Sequence, residues 1–505
     1  MQDSKNSSSS TFLQSARSVL WPIYGKENKL FLPMTFMLAL ILFAYTVCRG
    51  IKDTGVMKAT GVEDATNPIP FLKLWAVLPF ALLFFILFSW LSNRFNRRSL
   101  FYIVIIPFLV YFAAYAFLIY PNADNLHPIG MADSFVDMFE DGPIRNWVNS
   151  FTFMFKYWTH TSYYVMSELW GSAVLSLLFW QFANDIIPIP SAKRFYAHFY
   201  IVANVGVMAA GYLTTAVNKA YDDNYTVALQ IMVSIVVLAG ALAVVLYYYV
   251  NNSVLTDPDF QLTEGAKPAK KEKAKMSIGE GFKFLLSSPY LGLIALLVIC
   301  YGISINLVEV LWKEMIGKVY TTKTAMNAYM GDYFFWTGLF TIVAILVGSS
   351  VLRRFGWRVT ALATPILLGG SAVIFYSCVL WKNELGVTFG IAETSILSAA
   401  VFIGLIQNLL SKPTKYAMFD PTKEMAYIPL DPESKMKGKA AVDVVGARLG
   451  KSGGAAIGQV LAAVFGGSAI AYAPASFAIT VGIVLIWIAA AAALSKRFRA
   501  LTGEK

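Results

Sequence analysis

Apolar runs of about 20 residues, the length a helix needs to cross the hydrocarbon core of a bilayer, recur along this chain from Phe31 to Leu494. One such run would be an anchor on a globular body. A dozen of them leave no room for any other body. The composition agrees: 57% of the 505 residues are hydrophobic and 14% charged, where an ordinary soluble protein is roughly 25% charged. Mean hydropathy is +0.58 over the whole length. A soluble enzyme, a disordered chain and a disulfide scaffold are all poor fits. The chain reads as an all-α, multi-pass membrane protein.

With ends uncertain by a few residues, the predicted spans are 31–49, 71–92, 100–120, 158–181, 196–217 and 226–250, then 289–312, 330–352, 358–381, 391–411, 440–465 and 471–495. The fourth, seventh and eleventh are the least hydrophobic. Placing the N-terminus in the cytosol puts 28 of the 41 Lys and Arg on the cytosolic side and 11 outside, the bias expected of inner loops. This supports twelve spans with both termini cytosolic. It also accounts for the net charge of +11 without any nucleic-acid partner. The lysine-rich stretch KPAKKEKAK at 267–275 lies in the longest inner loop and reads as a solvated linker. It divides the chain into a six-helix half at 1–250, a basic linker at 251–288 and a six-helix half at 289–505.

The halves echo one another weakly. FANDIIPIPSAKRFYA (182–197) precedes the fifth span and MAYIPLDPESKMKGKAA (425–441) the eleventh, each with an Ile-Pro turn and a basic entry into a glycine-containing helix. Two six-helix halves around a midplane site describe a major-facilitator-like carrier. Cys48, Cys300 and Cys378 have no paired spacing, so neither a metal site nor a disulfide is expected. The first 30 residues lack the apolar core of a signal peptide and the Arg-rich character of a transit peptide.

Charged residues inside such spans mark the site, because each costs about 2.5–3.5 kcal/mol at a helix centre. Arg49 and Lys52 share a face at the end of the first span, with Asp53 one turn from Arg49 and able to pair with it. Snorkelling would explain them at a wet end, but positive charge is sparse on the outer side, which favours a cavity role for Lys52. Glu168 is flanked by apolar and aromatic residues; an ion pair with a lysine of another helix would still keep it in the interior. Glu309 has Lys313 at i+4, so a local salt bridge and a site role are both open. In AAVDVVGARLGKSGGAAIGQVLAAVFGG (440–467), Gly446, Gly450, Gly454 and Gly458 form a small-residue packing stripe, while Arg448 and Lys451 share a face off it with only Asp443 nearby. The segment GARLGKS is not a phosphate loop: its spacing is one short and no strand precedes it.

Four candidate cations (Arg49, Lys52, Arg448, Lys451), with Lys313 and Lys156 as possible additions, exceed what a sugar needs and suit a polyphosphate. Tyr163, Tyr164 and Trp170 offer rings for stacking on a base, although membrane aromatics usually pack. Asn204 carries an amide able to read adenine's edge or to bond another helix. His127, His160 and His198 form no catalytic cluster, so an enzyme or assembly factor has little support.

The segments WPIYGKENKLFLPM (21–34), RGIKD (49–53), SELWG (167–171), FWQFAN (179–184), YGISINLVEVLWK (301–313), QNLLSK (407–412), DPTKEMAYIPLD (420–431) and GARLGKSGGA (446–455) resemble, in order and over nearly the whole chain, the non-mitochondrial ADP/ATP translocases of plastids and intracellular bacteria. The resemblance implies a twelve-helix major-facilitator-like fold and exchange of host ATP for ADP, with phosphate accompanying ADP in some members and no cofactor. The family's functional charges match Lys52, Glu168, Glu309 and Lys451. Other members move nucleotides with protons or exchange NAD. The lack of a transit peptide makes the chain similar to chlamydial and rickettsial members, which implies an inner bacterial membrane and a monomer with ATP and ADP as its partners.

Overall fold

The computed structural model describes Ile23 and residues 25–59, 68–257, 288–381, 384, 393–442 and 446–502. Most of the predicted linker, and Asp443, lie outside the described residues. Every regular element among the described residues is helical. The long helices are α1 (Asn28–Met57), α2 (Ile69–Arg94) and α3 (Arg97–Leu126), followed by two short ones, α4 (Ile129–Val136) and α5 (Pro143–Lys156). Helix α6 runs on through Trp158–Trp170, Gly171–Phe179 and Trp180–Ile186. Helices α7 (Ile189–Ala220) and α8 (Tyr225–Val254) complete the first part.

The second part begins with α9 (Pro289–Val319). The stretch Lys323–Leu380 is two helices, α10 (323–355) and α11 (357–380), that meet in a kink at Gly356, whose φ of 72° is open to a residue without Cβ. Then come α12 (Ser395–Ala426), α13 (Pro432–Ala441), α14 (Ala447–Phe465) and α15 (Ala473–Thr502). Several starts are fixed by side chains that accept an otherwise unpartnered N–H: Asn96 from Ser99 for α3, Asn224 from Val227 for α8 and Thr322 from Ala325 for α10.

Ten of these helices are long and apolar enough to cross a membrane, and they match ten of the twelve predicted spans. The other two predicted spans are helical as well, but they are α6 and α14, which carry the buried polar face of the first part and the Arg448–Lys451 pair of the second. Helices α1 and α9, the first long helix of each part, are the inner ones. In each, 61% of the most apolar 18-residue stretch is buried, against 22% in α2, whose Phe85, Ile86 and Leu83 face outward.

Contacts between the two parts gather at one end of the bundle. Thr324 Oγ1 donates to Asp222 O at 2.7 Å, Lys323 Nζ to Tyr120 OH at 3.2 Å and Asn146 Nδ2 to Ala463 O at 3.2 Å, and Lys58 Nζ reaches Gly317 O. Along α7 and α10 the backbones touch: a Cβ on Gly211 would lie 2.4 Å from Phe335 N, and one on Gly331 would lie 2.7 Å from Gly211 O. At the opposite end the ion pairs made among the described residues run within one part, as with Arg194–Glu27, Lys29–Asp257 and Lys439–Glu424. The bundle is thus closed at one end. At the end bearing residues 251–257 and 288, the ion pairs named above among the described residues each stay within one part.

Because the three atoms nearest an added Cβ at Gly211, Phe335 N and Cα and Gly331 O, belong to backbone, no rotamer change relieves an added side chain. Gly211→Val is expected to cost about 1–3 kcal/mol. A lowered melting temperature of the purified protein in detergent checks this; an unchanged one contradicts the close approach.

Candidate functional site

Helices α1 and α9 meet near their ends, and each presents ionisable residues to the other. On α1, Lys52 and Asp53 are consecutive, so they point about 100° apart around the helix and serve different neighbours. Lys52 Nζ lies 3.0 Å from Glu168 Oε1 of α6 and 2.8 Å from Asp53 Oδ1. It also sits over the Tyr164 ring, 3.8 Å from the centroid, one turn before Glu168 on the same face. Asp53 turns its other oxygen across to α9, where Lys313 Nζ lies 2.8 Å away. Lys313 in turn pairs with Glu309 at 2.9 Å, and Glu309 lies 3.4 Å from Lys412 Nζ of α12. Lys412 ends the chain by donating to Tyr333 OH at 2.5 Å.

Glu168, Lys52, Asp53, Lys313, Glu309 and Lys412 thus alternate in sign through both parts of the protein. Lys52, Asp53 and Lys313 are nearly inaccessible, at 2%, 1% and 3% exposure. Isolated charges would be expelled from such a place or neutralised; alternation gives each one an opposite neighbour. Three further cations border this chain without a carboxylate among the described residues. Arg49 lies between rings, 5.7 Å from the Tyr45 centroid and 5.3 Å from that of Phe334. Lys73 of α2 donates to Asn306 Oδ1 at 2.6 Å. Lys451 of α14 is exposed, within electrostatic reach of Glu168. Six cations therefore surround three carboxylates, which makes the region attractive to a multivalent anion.

The structure brings Lys52, Glu168, Glu309, Lys313, Tyr164 and Arg49 together, with Lys451 opposite. The local Glu309–Lys313 bridge forms and is part of the larger chain. The pairing suggested between Arg49 and Asp53 does not form: Asp53 is taken by two lysines, and Arg49 stacks on rings instead. Arg448 is exposed one turn before Lys451. Tyr163 is packing, with its ring 4.3 Å from that of Tyr115. Asn204 donates to Tyr200 O within α7, where its own carbonyl faces Gly338. Lys156 pairs with Asp133 at 2.5 Å, away from the cluster. The glycine stripe of α14 packs as expected: Gly450 against Gly302, Gly454 against Ile303 and Asn306, Gly458 against Pro70.

Two members were missed. Lys73 sits inside the second predicted span and was detectable by the same rule that selected Glu168. Lys412 was read as loop because its helix continues past the predicted end to Ala426. Among the described residues no group of His, Cys, Asp and Glu is arranged to hold a metal.

The sequence profile of the TLC ATP/ADP transporters matches residues 6–498. The chain belongs to that family. It is 43% identical over 497 residues to ADP,ATP carrier protein 1 of Chlamydia trachomatis, covering 97% of this chain and 92% of that protein. It is 38% identical over 465 residues to ADP,ATP carrier protein 3 of Rickettsia conorii, covering 89% and 90%. Among solved structures the transporter is similar to a D-xylose-proton symporter (TM-score 0.56, 14% identity, 92% of this chain and 97% of that one). It is also similar to a bacterial homologue of the iron transporter ferroportin in an inward-facing state (TM-score 0.57, 12% identity, 92% and 99%). The fold of this family member is therefore that of major-facilitator-like transporters.

Replacing Asp53 by Asn removes the anion shared by Lys52 and Lys313. Breaking a buried pair from one side costs about 3–5 kcal/mol, so Asp53→Asn is expected to lower thermal stability in detergent markedly. A melting temperature equal to the parent's would show that the bridge contributes little.

Proposed function

We propose that this protein is an ATP/ADP antiporter that imports host ATP in exchange for ADP, with or without accompanying phosphate, across the inner membrane of an intracellular bacterium. The observation that carries the reading is the excess of cations over carboxylates where α1, α6, α9 and α14 converge. The names of the chlamydial and rickettsial relatives point the same way. In this reading the twelve helices form two six-helix halves, 1–250 and 289–505, that rock about the site as a monomer, with both termini cytosolic. The end joined by Thr324–Asp222, Lys323–Tyr120 and Asn146–Ala463 then faces the outside.

Lys52, Lys451, Arg49 and Arg448 receive the phosphates. Lysine binds phosphate as a compact point charge, and arginine as a planar fork with several donors. In the empty carrier Lys52 is held by Glu168 and Asp53, and Lys313 by Asp53 and Glu309. A phosphate tail competes for Lys52 with Glu168, which weakens the network that ties α1 to α9. Only differential binding between the two facing states can move the equilibrium, so the loaded carrier reorients and the empty one stays. That asymmetry makes transport an exchange. Glu168 and Glu309 act in charge balance and gating, with Lys313 between the halves; Asp443 is assigned to the same task. Tyr164 supports Lys52 from beneath. Base recognition by Asn204 or Tyr163 has less support, since one bonds its own helix and the other packs.

The test is labelled-ATP uptake into proteoliposomes loaded with ADP, compared with empty ones. Uptake is expected only with internal ADP. Uptake into empty vesicles that follows a proton gradient would instead establish a proton-coupled nucleotide importer, the alternative within this family. Lys52→Ala and Lys451→Ala are each expected to abolish uptake while inserting normally into the membrane; full uptake by both removes these lysines from the phosphate site. For Glu168→Gln, nucleotide binding should outlast exchange, and the reverse order contradicts the gating role.

A further inference from the structure

Among the described residues Lys73 has no carboxylate partner. Its ammonium group lies in the run of charges between the two parts, within electrostatic reach of Glu309 and Glu168, yet its hydrogen-bond partner is a neutral carboxamide, Asn306 Oδ1 at 2.6 Å. No described carboxylate pairs with it. The orientation of that carboxamide is set from the other side, where Asn306 Nδ2 donates to Gly302 O at 2.7 Å, leaving its oxygen toward Lys73. A charge at membrane depth costs about 2.5–3.5 kcal/mol, and one bond to an amide returns only part of it. The side chain is half-buried rather than enclosed.

Lys73 is not what ties α2 to α14. Beside Lys73, α2 is tied to α14 by neutral groups: Trp75 Nε1 donates to Gln459 Oε1 at 3.1 Å, and Gln459 Nε2 donates to Pro70 O at 3.1 Å. That tie runs to α14 and does not involve Lys73, whose own bond crosses to α9. Its placement points elsewhere. Asn306 is one turn along α9 from Gly302, and Gly302 abuts Gly450 and the backbone nitrogen of Lys451. Lys73 from the first part and Lys451 from the second therefore approach the same face of α9 from two sides.

We infer that Lys73 is a phosphate-binding residue, which exchanges the Asn306 carboxamide for a terminal phosphate oxygen of the nucleotide and so closes a two-cation cradle with Lys451. This rests on the nucleotide reading above. The neutral partner is what keeps the site available, because a carboxylate at position 306 would hold Lys73 as firmly as Glu168 holds Lys52, and a phosphate would have to displace it. An amide yields at the cost of one hydrogen bond and gains a charge-assisted one.

The experiment is titration of the purified full chain in detergent with ATP, ADP, AMP and adenosine, read by calorimetry and by nucleotide-induced thermal stabilisation. Parent protein that binds no ATP refutes the nucleotide reading itself. Given binding by the parent, Lys73→Gln should weaken ATP and ADP roughly 10-fold or more, the range of one charge-assisted hydrogen bond, while adenosine is unaffected. Lys73→Arg should stay within about 3-fold. Equal losses for adenosine and ATP, or no loss for ATP, overturn the proposal. Should Lys73→Gln fail to fold, Asn306→Asp decides. Pairing Lys73 permanently should weaken ATP roughly 10-fold without lowering the melting temperature, whereas a brace would be strengthened and leave ATP affinity unchanged, which overturns it.

Discussion

One carboxylate, Asp53, organises this protein. It is 1% exposed and lies within 2.8 Å of two ammonium groups, one on its own helix and one across the interface between the two parts. Removing three charges from water is expensive, and the cost is offset only because each faces an opposite sign at contact distance. The requirement propagates outward. Lys52 needs Glu168, so α6 must lie against α1 with that residue inward. Lys313 needs Glu309, which fixes the rotation of α9, and Glu309 draws in Lys412 of α12. The inner positions of α1 and α9 follow from the same constraint, since a helix with lipid on one side has nowhere to put such groups.

The close packing that permits these contacts comes from glycine. In lipid no hydrophobic force distinguishes helix from tail, so association depends on contact area and on backbones that approach closely. Gly450 against Gly302 and Gly211 against Gly331 are two such places, each joining helices that hold the site or the closed end. The first also brings α14, with its exposed Lys451, alongside the α9 face that carries Asn306. Packing and chemistry are therefore not separable here: the small residues that let α9 and α14 touch also set the distance between their functional side chains.

Much of this was legible in sequence. A buried-charge rule selected Lys52, Glu168, Glu309, Lys313 and Lys451, because a lone charge within an apolar run is informative without any knowledge of partners. The stripe of glycines at every fourth residue of 440–467 was equally plain. What local pattern does not carry is pairing and where a helix ends, as Lys412 beyond the predicted end of its span shows. Asp53 is one turn from Arg49 and was offered to it as a local partner, while in the fold it bridges Lys52 and Lys313. Lys313 is 260 positions away, and no local pattern announces such a contact. Lys73 lies two residues into its predicted span, where a charge at a wet end and one in a site look alike in sequence. Tyr163 and Tyr164 are adjacent and equally aromatic, and only the rotation of α6 decides that one packs on Tyr115 while the other lies under Lys52.

The divergence of Lys52 and Asp53 around α1 has a consequence for assembly. The helix shows a positive side chain to its own part and a negative one to the other part, and the second part answers with a lysine. Such a joint is not self-complementary. Two copies of the first part brought face to face would set Asp53 against Asp53, and two copies of the second would oppose Lys313 to Lys313. The two parts are thus told apart by sign, and during folding the chain has an electrostatic reason to close on its own other part and not on a neighbour's matching one.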